Sequence, residues 1–467
     1  MHSCSMTIEA NLCELTATML AKALARREIS ARAVLEAHLT RIAAHDACLS
    51  AFITVDADGA RRQADACDAA GGPIGPLHGI PIAVKDLTNT RGLRTTYGSL
   101  LFQNHVPDQD ELVVARLRQA GAVIIGKTNT PEFGFGAVCI NRLCGPTRNP
   151  FDAALTSGGS SGGSAVAVAT GMAPLAHGTD FGGSVRTPAS FCDVVSIRPT
   201  PGRIAAPARA LGWDMLATHG LLARSVDDLE LGLSACVGPD ILDPLSVGTE
   251  PRAGSASGRP QLAVTPDFGV ASVATDVRSR FAAACDALSE IADVEEVSPD
   301  CSGAIEAFRT LRAAHVADGY SALLRDRRAE LTPTVIWNIE AGAQLTAQDY
   351  LAAERRRTAV FRGFRDLLAR KDFLVVPAAS VLPWNNDEGD VMLIDGVSLE
   401  TPIDYLAVTF IVSLVGFPVL TLPTPRRPDQ KPFGLQIIAA PGEESKLFAF
   451  GRRIEEQLRF CHRQPPI

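Results

Sequence analysis

Apolar side chains recur at helical spacing in two segments near the start of the chain. These segments are residues 13–27 and 30–45, and Ser30 occupies the N-cap position of the second. The second segment carries its apolar residues on one face, at Val34, Leu35, Leu39 and Ile42. The pattern predicts two amphipathic helices that form a surface layer.

From residue 79 to residue 130 the hydrophobic pattern becomes one of short apolar runs. Ile80–Val84 and Ala122–Ile125 have the length and composition of strands, and the helix-like stretch Glu111–Ala120 precedes the second run. Alternation of strands and helices is typical of an α/β sheet. Reactive side chains are expected in the loops that follow such strands.

Later segments extend the same kind of architecture. Ser164–Met172 is rich in alanine and valine and predicts a buried helix, whereas Phe308–Ala369 has a largely helical pattern with charged, solvated faces. Val375–Pro377 resembles the end of a strand, and Ala378–Asp390 a loop that rims a pocket. Gly254–Arg259 is rich in Gly and Ser and predicts a surface linker.

Leu406–Leu422 is the segment that most resembles a membrane span, because it is mostly apolar and uncharged. Its length is at the short limit for a spanning helix, and Gly416 and Pro418 interrupt it with turn-forming chemistry. The pattern therefore favours a buried helix followed by a buried strand, with no membrane partner.

Composition supports a globular protein with a large core. The 467 residues are 46% hydrophobic and 21% charged, which predicts one large folded domain. The net charge of −8 is not accompanied by a basic cluster. This argues against nucleic acid or an anionic membrane as the main partner.

The cysteines indicate a reducing compartment. There are 11, and they are scattered singly without a Cys-x-x-Cys pair. Glu9 and Glu14 stand where a signal peptide would need an apolar core, so we expect a cytoplasmic protein. No cluster of His, Cys and Asp has metal-ligand spacing, and we expect neither a metal nor an organic cofactor.

Two glycine-rich strings carry the candidate chemistry. They are Gly158-Gly-Ser-Ser-Gly-Gly-Ser-Ala165 and Gly178-Thr-Asp-Phe-Gly-Gly-Ser-Val-Arg-Thr-Pro188, and they place Ser160 and Ser184 each behind a Gly-Gly pair. Glycine pairs let a ligand approach the main-chain N–H groups closely. Lys85 lies at the end of an apolar, strand-like run, and one lysine with two serines can activate a nucleophile without histidine.

The residues alone leave alternatives open. Lys85 is either a buried base whose pKa is lowered, or a strand-end lysine that reaches solvent or pairs with Asp86. The loop at 158–162 lacks the Gly-Lys-Ser/Thr ending of a phosphate-binding P-loop, but it matches the Gly-x-Ser-x-Gly nucleophile elbow of α/β-hydrolases. Ser160 would then be the nucleophile, and the candidate bases are His177, His219 and His315.

The two glycine-rich strings, together with Gly79-Ile-Pro-Ile-Ala-Val-Lys-Asp86, resemble the amidase signature family. Further similar strings are Gly126-Lys-Thr-Asn-Thr-Pro-Glu-Phe-Gly134, Thr147-Arg-Asn-Pro150 and Gly434-Leu-Gln436. The resemblance implies an α/β fold in which a twisted, mixed central sheet is covered on both faces by helices. It implies a single domain over residues 1–467, with a signature core at about 75–220 and a helical insert at about 305–370 that forms a lid or a subunit contact.

The resemblance also assigns catalytic roles. Ser184 is the expected nucleophile, Ser160 the middle residue that follows a cis peptide bond, and Lys85 the terminal base. The main-chain N–H groups of Phe181, Gly182, Gly183 and Ser184 are expected to form the oxyanion hole. Asp180 and Arg186 would organise the loop, and Ser161 would hydrogen-bond Lys85 or the nucleophile.

Departures from the family pattern bear on the substrate. Phe181 stands where the family more often has Thr, Ser or Ile, and Asp193 and Ser196 replace glycines. A phenyl ring beside the oxyanion loop would narrow or line the acyl pocket. In similar proteins one loop faces the substrate, and in this chain it carries Phe135, Val138, Ile140 and Leu143. Their apolar character predicts an apolar or aromatic substrate group. The competing interpretation is that these residues pack in the core.

The resemblance thus predicts hydrolysis of a small-molecule amide at its C–N bond, with anilides, carbamates and esters as related substrates, and a homodimer as one expected state. A first alternative is the A subunit of a tRNA-dependent amidotransferase, although residues 212–220 resemble stand-alone amidases better. A second is an α/β-hydrolase esterase that uses Ser160. A third is a degenerate amidase fold that only binds ligands, which the intact set of Lys85, Ser160 and Ser184 disfavours.

Overall fold

The fold is an 11-stranded mixed sheet flanked by helices, seen in a computed structural model that describes residues 12–248 and 258–466. Residues 254–257 of the predicted surface linker lie outside the described residues. The strands of the sheet are β1 (Phe52–Val55), β2 (Pro81–Lys85), β3 (Val123–Thr128), β6 (Leu175–Asp180), β7 (Val195–Arg198), β8 (Thr218–Ala223), β9 (Gln261–Val264), β10 (Asp293–Glu296), β11 (Phe373–Pro377), β14 (Val419–Pro423) and β15 (Gly434–Ile438).

Two small hairpins and the helices complete the described structure. The hairpins are β4 (Ile140–Asn141) with β5 (Gly145–Pro146), and β12 (Leu393–Ile394) with β13 (Val397–Ser398). The α-helices are α1 (Ala17–Ala25), α2 (Ala31–Leu49), α3 (Ala57–Ala69), α4 (Leu112–Gln119), α5 (Gly162–Ala169), α6 (Arg186–Phe191), α7 (Val226–Cys236), α8 (Thr275–Leu288), α9 (Ala304–Arg327), α10 (Pro333–Glu340), α11 (Ala347–Leu368), α12 (Ala407–Val415) and α13 (Glu444–Leu458).

The order of strands confirms the predicted mixed sheet. Across the sheet the order is β1-β3-β2-β6-β8-β7-β14-β15-β11-β9-β10. The β3-β2-β6 and β11-β9-β10 neighbours are parallel, and the remaining pairs are antiparallel. Because β2 and β6 are parallel neighbours, with Val84 opposite His177, their carboxyl ends meet at one edge. Lys85 and Asp180 end these two strands there.

The predicted N-terminal helices are present, with one shifted start. Ser30 caps α2 as predicted, and its hydroxyl accepts a hydrogen bond from Ala33 N at 3.0 Å. Helix α1 begins at Ala17 instead of residue 13, because Thr16 supplies its N-cap by accepting from Met19 N. The apolar faces of both helices are buried at Leu20, Leu24, Val34 and Leu35.

The uncharged segment Leu406–Leu422 folds as the sequence predicts, into a buried helix and a buried strand. Helix α12 ends at Val415 and is capped by Gly416, whose φ of +72° is a left-handed conformation that favours glycine, and β14 follows. No helix among the described residues combines the length and the apolar character that a membrane crossing requires.

Two other helical predictions shift only at their bounds. The buried helix expected from Ser164 begins at Gly162 and ends at Ala169, and all its residues are buried. The predicted helical region after Phe308 consists of α9, α10 and α11, of which α9 packs on α10, α11 and α12. Residues of α9 and α10 line the same cavity as Thr179 and Asp180 at the end of β6.

Candidate active site

Lys85 is fully buried at the end of β2, and its side chain has two hydroxyl partners. Its Nζ donates to Ser160 Oγ at 2.7 Å and to Thr179 Oγ1 at 2.9 Å. Burial lowers the pKa of Lys85 to about 7, because the charged ammonium loses its hydration. The structure therefore supports the buried-base interpretation of Lys85, and a large fraction of this amine is neutral near pH 7.

Ser160 lies within the first glycine-rich string, two residues before helix α5 begins at Gly162. The peptide bond from Gly159 to Ser160 is cis, as the resemblance implied, and Ser160 is only 2% exposed. The next residue differs from expectation. The Ser161 hydroxyl donates to the Thr179 carbonyl at 3.2 Å instead of bonding Lys85 or Ser184, and its N–H donates to the Ser184 carbonyl at 3.0 Å. Ser161 thus ties the two serine loops together through its main chain.

Ser184 lies in the loop between β6 and α6, and this loop is folded around the Asp180 side chain. The Asp180 carboxylate accepts hydrogen bonds from Gly183 N at 3.0 Å and from Val185 N at 3.1 Å. The N–H of Gly183 is therefore already used within the loop, which corrects the expectation that it is an oxyanion donor. Of the four N–H groups expected to form the oxyanion hole, those of Phe181, Gly182 and Ser184 remain as candidate donors.

Gly183 is required by the close approach of helix α12. Its φ is +123°, and a Cβ added there would lie 2.6 Å from Thr409 Cβ. Thr409 Oγ1 also donates to the Gly182 carbonyl at 2.6 Å, so helix α12 fixes the position of the loop. The Gly-Gly pair before Ser184 is thus explained by packing against Thr409 as well as by access to the loop.

Asp180 is the centre of a buried charge cluster. Arg186 donates to both of its carboxylate oxygens, at 2.8 and 3.1 Å, and Arg198 donates to Oδ1 at 3.1 Å. Burial by itself would raise the pKa of Asp180, but the two guanidinium groups and the loop N–H groups hold it well below its usual range. Asp180 and Arg186 therefore organise the loop as expected, and Arg198 is a partner that the sequence did not reveal.

Arg186 connects the loop to a strand 250 residues downstream. Its Nη1 donates to Gln436 Oε1 at 2.6 Å and to the Thr409 carbonyl at 2.7 Å. The Gln436 amide in turn donates to the carbonyls of Pro377 and Val408, each at 2.8 Å. This explains why Gly434-Leu-Gln436 accompanies the two serine strings, since its glutamine orients Arg186 from strand β15.

Ser160 and Ser184 open into a cavity of about 380 Å³, which we call the central cavity. Seven aromatic side chains contribute to its wall: Phe133, Phe135, Phe181, Phe308, Tyr320, Trp337 and Phe410. Apart from the tyrosine, its charged or titratable lining residues are Asp180, Arg209, Asp214, Arg312, His315, Asp318 and Asp390. Helices α9 and α10 supply part of this wall, through residues that include Phe308, Arg312, Tyr320 and Trp337.

Phe181 lines the central cavity beside the oxyanion loop, as its place in the sequence predicts. Its ring centroid lies 6.1 Å from that of Phe308, in an edge contact. Of the four other predicted pocket residues only Phe135 lines the cavity. The prediction is wrong for Val138, Ile140 and Leu143, because the β4–β5 hairpin carries the chain away from the cavity after residue 137. Val138 is buried elsewhere, whereas Ile140 is 46% exposed.

The histidine bases of the esterase alternative are not placed for that role. His177 and His219 are buried and hydrogen-bonded to each other, with 3.0 Å between Nε2 and Nδ1. His315 lines the central cavity but faces Asp214, with 3.3 Å between Nδ1 and Oδ1. Within residues 12–248 and 258–466 no histidine hydrogen-bonds Ser160, whose hydroxyl is instead bonded to Lys85.

Asp193, one of the departures from the glycine pattern, has a φ of +59°, a conformation in which glycine would be unstrained. Its carboxylate is buried 3.5 Å from Arg426 Nη2, and burial raises its pKa to about 6. Ser196, the other departure, is a buried residue of β7. Neither residue lines the central cavity.

The missed residues differ in how well the sequence could have revealed them. Thr179 stands inside the Gly-Thr-Asp string and at the end of β6, so its closeness to Lys85 follows once β2 and β6 are paired. Thr409 and Arg198 carry no comparable signal. They come from a uniform apolar helix and from a short strand, and only the folded structure brings them to the loop.

Comparison with known proteins places the chain in a family. The family model described as Amidase matches residues 33–448. The A subunit of the glutamyl-tRNA(Gln) amidotransferase of Acidothermus cellulolyticus is 34% identical, over 95% of this chain and 94% of that protein. The acylamidase of Rhodococcus erythropolis is 32% identical, over 92% of this chain and 93% of that protein.

A solved structure matches at the level of the fold as well. A bacterial aryl acylamidase of the amidase signature family superimposes with a TM-score of 0.87 and 27% sequence identity. The superposition covers 95% of this chain and 96% of the acylamidase. The lysine, the two serines and the helices around the cavity all lie within the range that the family model matches.

Proposed function

The chain belongs to the amidase family of enzymes that act on amides, and we propose that it hydrolyses the C–N bond of a small carboxylic amide through an acyl-enzyme on Ser184. The observation that carries the proposal is the 2.7 Å hydrogen bond from buried Lys85 to Ser160, in a site where Ser160 and Ser184 open into one cavity. This arrangement supplies a base, a relay hydroxyl and a nucleophile without histidine.

The first half of the reaction is acyl transfer to Ser184. Neutral Lys85 takes a proton from Ser160, which takes one from Ser184 as the Ser184 oxygen attacks the amide carbonyl. The N–H groups of Phe181, Gly182 and Ser184 stabilise the oxyanion of the tetrahedral intermediate. The intermediate collapses with cleavage of the C–N bond, and the leaving nitrogen receives the proton that returns through Ser160.

The second half is hydrolysis of the ester on Ser184. A water molecule gives a proton to the same relay and attacks the ester carbonyl, so that the Ser184 oxygen leaves with a proton and the acyl portion departs as a carboxylic acid. The pKa of about 7 for Lys85 suits both halves, because the group must accept and return a proton near neutral pH.

The wall of the central cavity supports an apolar or aromatic substrate group. Phe181 and Phe308 lie beside the oxyanion loop, and Phe135 and Trp337 extend the aromatic wall. Aromatic rings bury large apolar areas and contact other rings favourably. Anilides, aryl carbamates and aryl esters share the tetrahedral chemistry of amides and fit the same wall.

A substrate panel with three variants tests the proposal. An aliphatic amide, an anilide, an aryl carbamate and an aryl ester are assayed with the wild type and with Ser184→Ala, Ser160→Ala and Lys85→Ala. We expect Ser184→Ala to abolish turnover, and the other two variants to impair amide cleavage more than ester cleavage, because an amine leaving group needs the returned proton. Activity that persists in Ser184→Ala but is lost in Ser160→Ala would overturn the proposal in favour of the nucleophile elbow.

A second candidate function is hydrolysis of glutamine as one component of an amidotransferase. The observation that favours it is the 34% identity, over nearly the whole chain, to the amidotransferase component of Acidothermus cellulolyticus. The test is release of glutamate from glutamine, together with copurification of partner subunits from the native host. Glutaminase activity that rises when such partners are added would support this function over the stand-alone amidase.

A further inference from the structure

Arg312 is a buried cation in the wall of the central cavity. It lies on α9, it is 9% exposed, and its side chain is among those that line the cavity. Among residues 12–248 and 258–466 no carboxylate lies within ion-pair distance of its guanidinium, and no protein acceptor hydrogen-bonds it. Burial is the cause that lowers the pKa of Arg312, to about 10, so the group is still charged at neutral pH.

The other buried or partly buried arginines near the site, Arg186, Arg198 and Arg209, have acidic partners. Arg186 and Arg198 share Asp180. Arg209, which also lines the cavity, has Nη1 3.7 Å from Asp243 Oδ1. A buried charge is costly unless it is paired and hydrogen-bonded, so the lack of a protein partner at Arg312 points to a partner from outside the chain.

The one contact recorded for the Arg312 guanidinium leaves its donors available. Its Cζ lies 5.6 Å from the ring centroid of Phe135, a distance at which the ring attracts the cation weakly. A guanidinium still has N–H donors in a planar fork that matches the two oxygens of a carboxylate. The site thus combines an aromatic wall with a cation suited to a planar anion.

The position of Arg312 along α9 places it away from the reacting carbonyl. Phe308, four residues earlier on the same helix, packs against the oxyanion loop, since a Cβ added at Gly182 would lie 3.2 Å from Phe308 Cζ. Four residues of α-helix correspond to about 6 Å of axial rise. An anion on Arg312 would therefore be connected to the scissile amide by a short spacer.

We propose that Arg312 binds a carboxylate of the substrate, so that the amides cleaved here carry a carboxylate at a short distance from the scissile bond. The proposal rests on the proposed amidase function. The carboxylate can belong to either side of the scissile bond. On the acyl side, the substrates are half-amides of dicarboxylic acids. On the amine side, they are amides of amino acids or aminobenzoates.

Matched substrate pairs test the proposal and separate the two sources. On the acyl side, the 4-nitroanilides of succinic, glutaric and adipic acid are compared with those of butanoic, pentanoic and hexanoic acid. On the amine side, 4-acetamidobenzoate is compared with acetanilide. We expect one series to show a preference of roughly 10- to 100-fold in kcat/KM for the carboxylate, mainly through KM, since a charge-assisted bidentate bond is among the strong hydrogen bonds.

In Arg312→Met the ratio of kcat/KM between carboxylate and neutral substrates should fall to about one. Arg312→Lys should keep part of the preference, because lysine supplies a point charge but not the planar pair of donors. Arg209→Met is the matched control, because Arg209 lines the same cavity but already has Asp243 as its partner. The control should keep the wild-type ratio. Three results would overturn the proposal. The wild type would show equal kcat/KM for charged and neutral substrates, or Arg312→Met would leave the ratio unchanged, or the wild type would prefer an ammonium-bearing analogue.

A binding measurement separates failure of this proposal from failure of the amidase function. Calorimetric titration of Ser184→Ala with the mono-4-nitroanilide of glutaric acid and with 4-acetamidobenzoate needs no turnover, and binding should weaken at least tenfold when Arg312→Met is added. If neutral anilides are cleaved but no Arg312-dependent binding occurs, the amidase function stands and this proposal fails. If no amide is cleaved but Arg312-dependent binding occurs, the amidase function fails and only carboxylate binding by Arg312 stands.

Discussion

Lys85 Nζ lies 2.9 Å from Thr179 Oγ1, and this contact joins the ends of the parallel strands β2 and β6. The second partner of the amine, Ser160 Oγ at 2.7 Å, belongs to the loop before helix α5. In the proposed relay the proton passes between Lys85 Nζ and Ser160 Oγ, and the bond to Thr179 holds the amine against Ser160 from a second element. We therefore infer that Thr179 is a positioning residue for this relay.

Replacement of Thr179 by Val should separate orientation from basicity. The substitution keeps the shape of the side chain but removes one acceptor from Lys85. Since hydrogen bonds to an ammonium favour its charged form, their loss lowers the pKa of Lys85 further. We expect the acidic limb of the kcat/KM profile for an anilide to move to lower pH, while the plateau falls roughly tenfold because the amine is less well oriented.

Ser161→Ala is the control for this prediction. The Ser161 hydroxyl bonds the Thr179 carbonyl, not the Lys85 amine. Its removal should leave the acidic limb at the wild-type pH. A Thr179→Val profile that is lowered uniformly, with an unchanged limb, would mean that Thr179 acts only on the structure of the strand.

The sequence predicted the local elements of the site because their signals are short-range. The apolar run before Lys85, the N-cap at Ser30 and the uncharged segment Leu406–Leu422 are each readable from neighbouring residues, and the structure confirms all three. The pairing of strands that are distant in sequence is not readable in this way. The mixed sheet was expected from the resemblance to a family, not from the pattern itself.

The side-chain contacts between distant segments were the part that could not be predicted. Thr409 of helix α12 bonds the Gly182 carbonyl and Gln436 of strand β15 bonds Arg186, in each case from more than 200 residues away in sequence. The loop after Phe135 is a case in which the sequence predicted a contact that the structure does not contain. Its apolar residues suggested a pocket wall, but the β4–β5 hairpin directs three of them elsewhere. Apolar character alone does not distinguish a cavity wall from other packing.

Burial of Lys85 should make the stability of the protein depend on pH. Below pH 7 the amine is charged in both the folded and the unfolded protein, so the folded state holds a buried cation. Between pH 7 and its ordinary pKa of 10.5, the unfolded chain binds a proton that the folded protein does not. The unfolded state then binds more protons, and the free energy of unfolding rises with pH in this window.

Lys85→Met removes this pH dependence. The variant's free energy of unfolding should therefore exceed that of the wild type by the largest amount below pH 7. Between pH 7 and pH 9 the wild type should gain on the variant by about 2–3 kcal/mol. Urea denaturation of both proteins at pH 6, 7.5 and 9 measures the difference. A difference between wild type and variant that is the same at all three pH values would contradict a lowered Lys85 pKa.

Gly183→Ala should inactivate the enzyme through the shape of the oxyanion loop. Its φ of +123° is unfavourable for alanine, and the new Cβ would overlap the Thr409 side chain. We expect a loss of roughly 10²–10³-fold in kcat, the cost of misplacing oxyanion donors. The measurement is the single-turnover rate of acylation by an activated ester.

Gly182→Ala is the comparison for this prediction. Its φ is not in the left-handed region, and its added Cβ would meet Phe308 Cζ at 3.2 Å, a contact that a small shift of the ring relieves. The loss of kcat should therefore be smaller than for Gly183→Ala. Equal losses in the two variants would show that the contact with Thr409 does not determine the loop.

Asp180→Asn should destabilise the whole fold, because Asp180 is the only recorded acidic partner of two fully buried arginines in the described structure. Arg186 and Arg198 both donate to its carboxylate, and neither is exposed. Removal of one member of a buried charge cluster costs about 3–5 kcal/mol, since the remaining charges stay buried without compensation. Chemical denaturation at pH 7 measures this loss directly.

The pH dependence distinguishes this effect from that of Lys85. The pKa of Asp180 lies well below its usual range, so the carboxylate remains ionised at any pH above its ordinary value of 3.8. Its contribution to stability is lost only as the pH falls through the lowered pKa, and the gap between wild type and Asp180→Asn should be constant from pH 5 to 8. Asp293→Asn, which breaks an exposed pair with Arg259, should change stability little. If Asp180→Asn lowered the free energy of unfolding no more than this control does, the buried charge cluster would not be what holds the Ser184 loop in place.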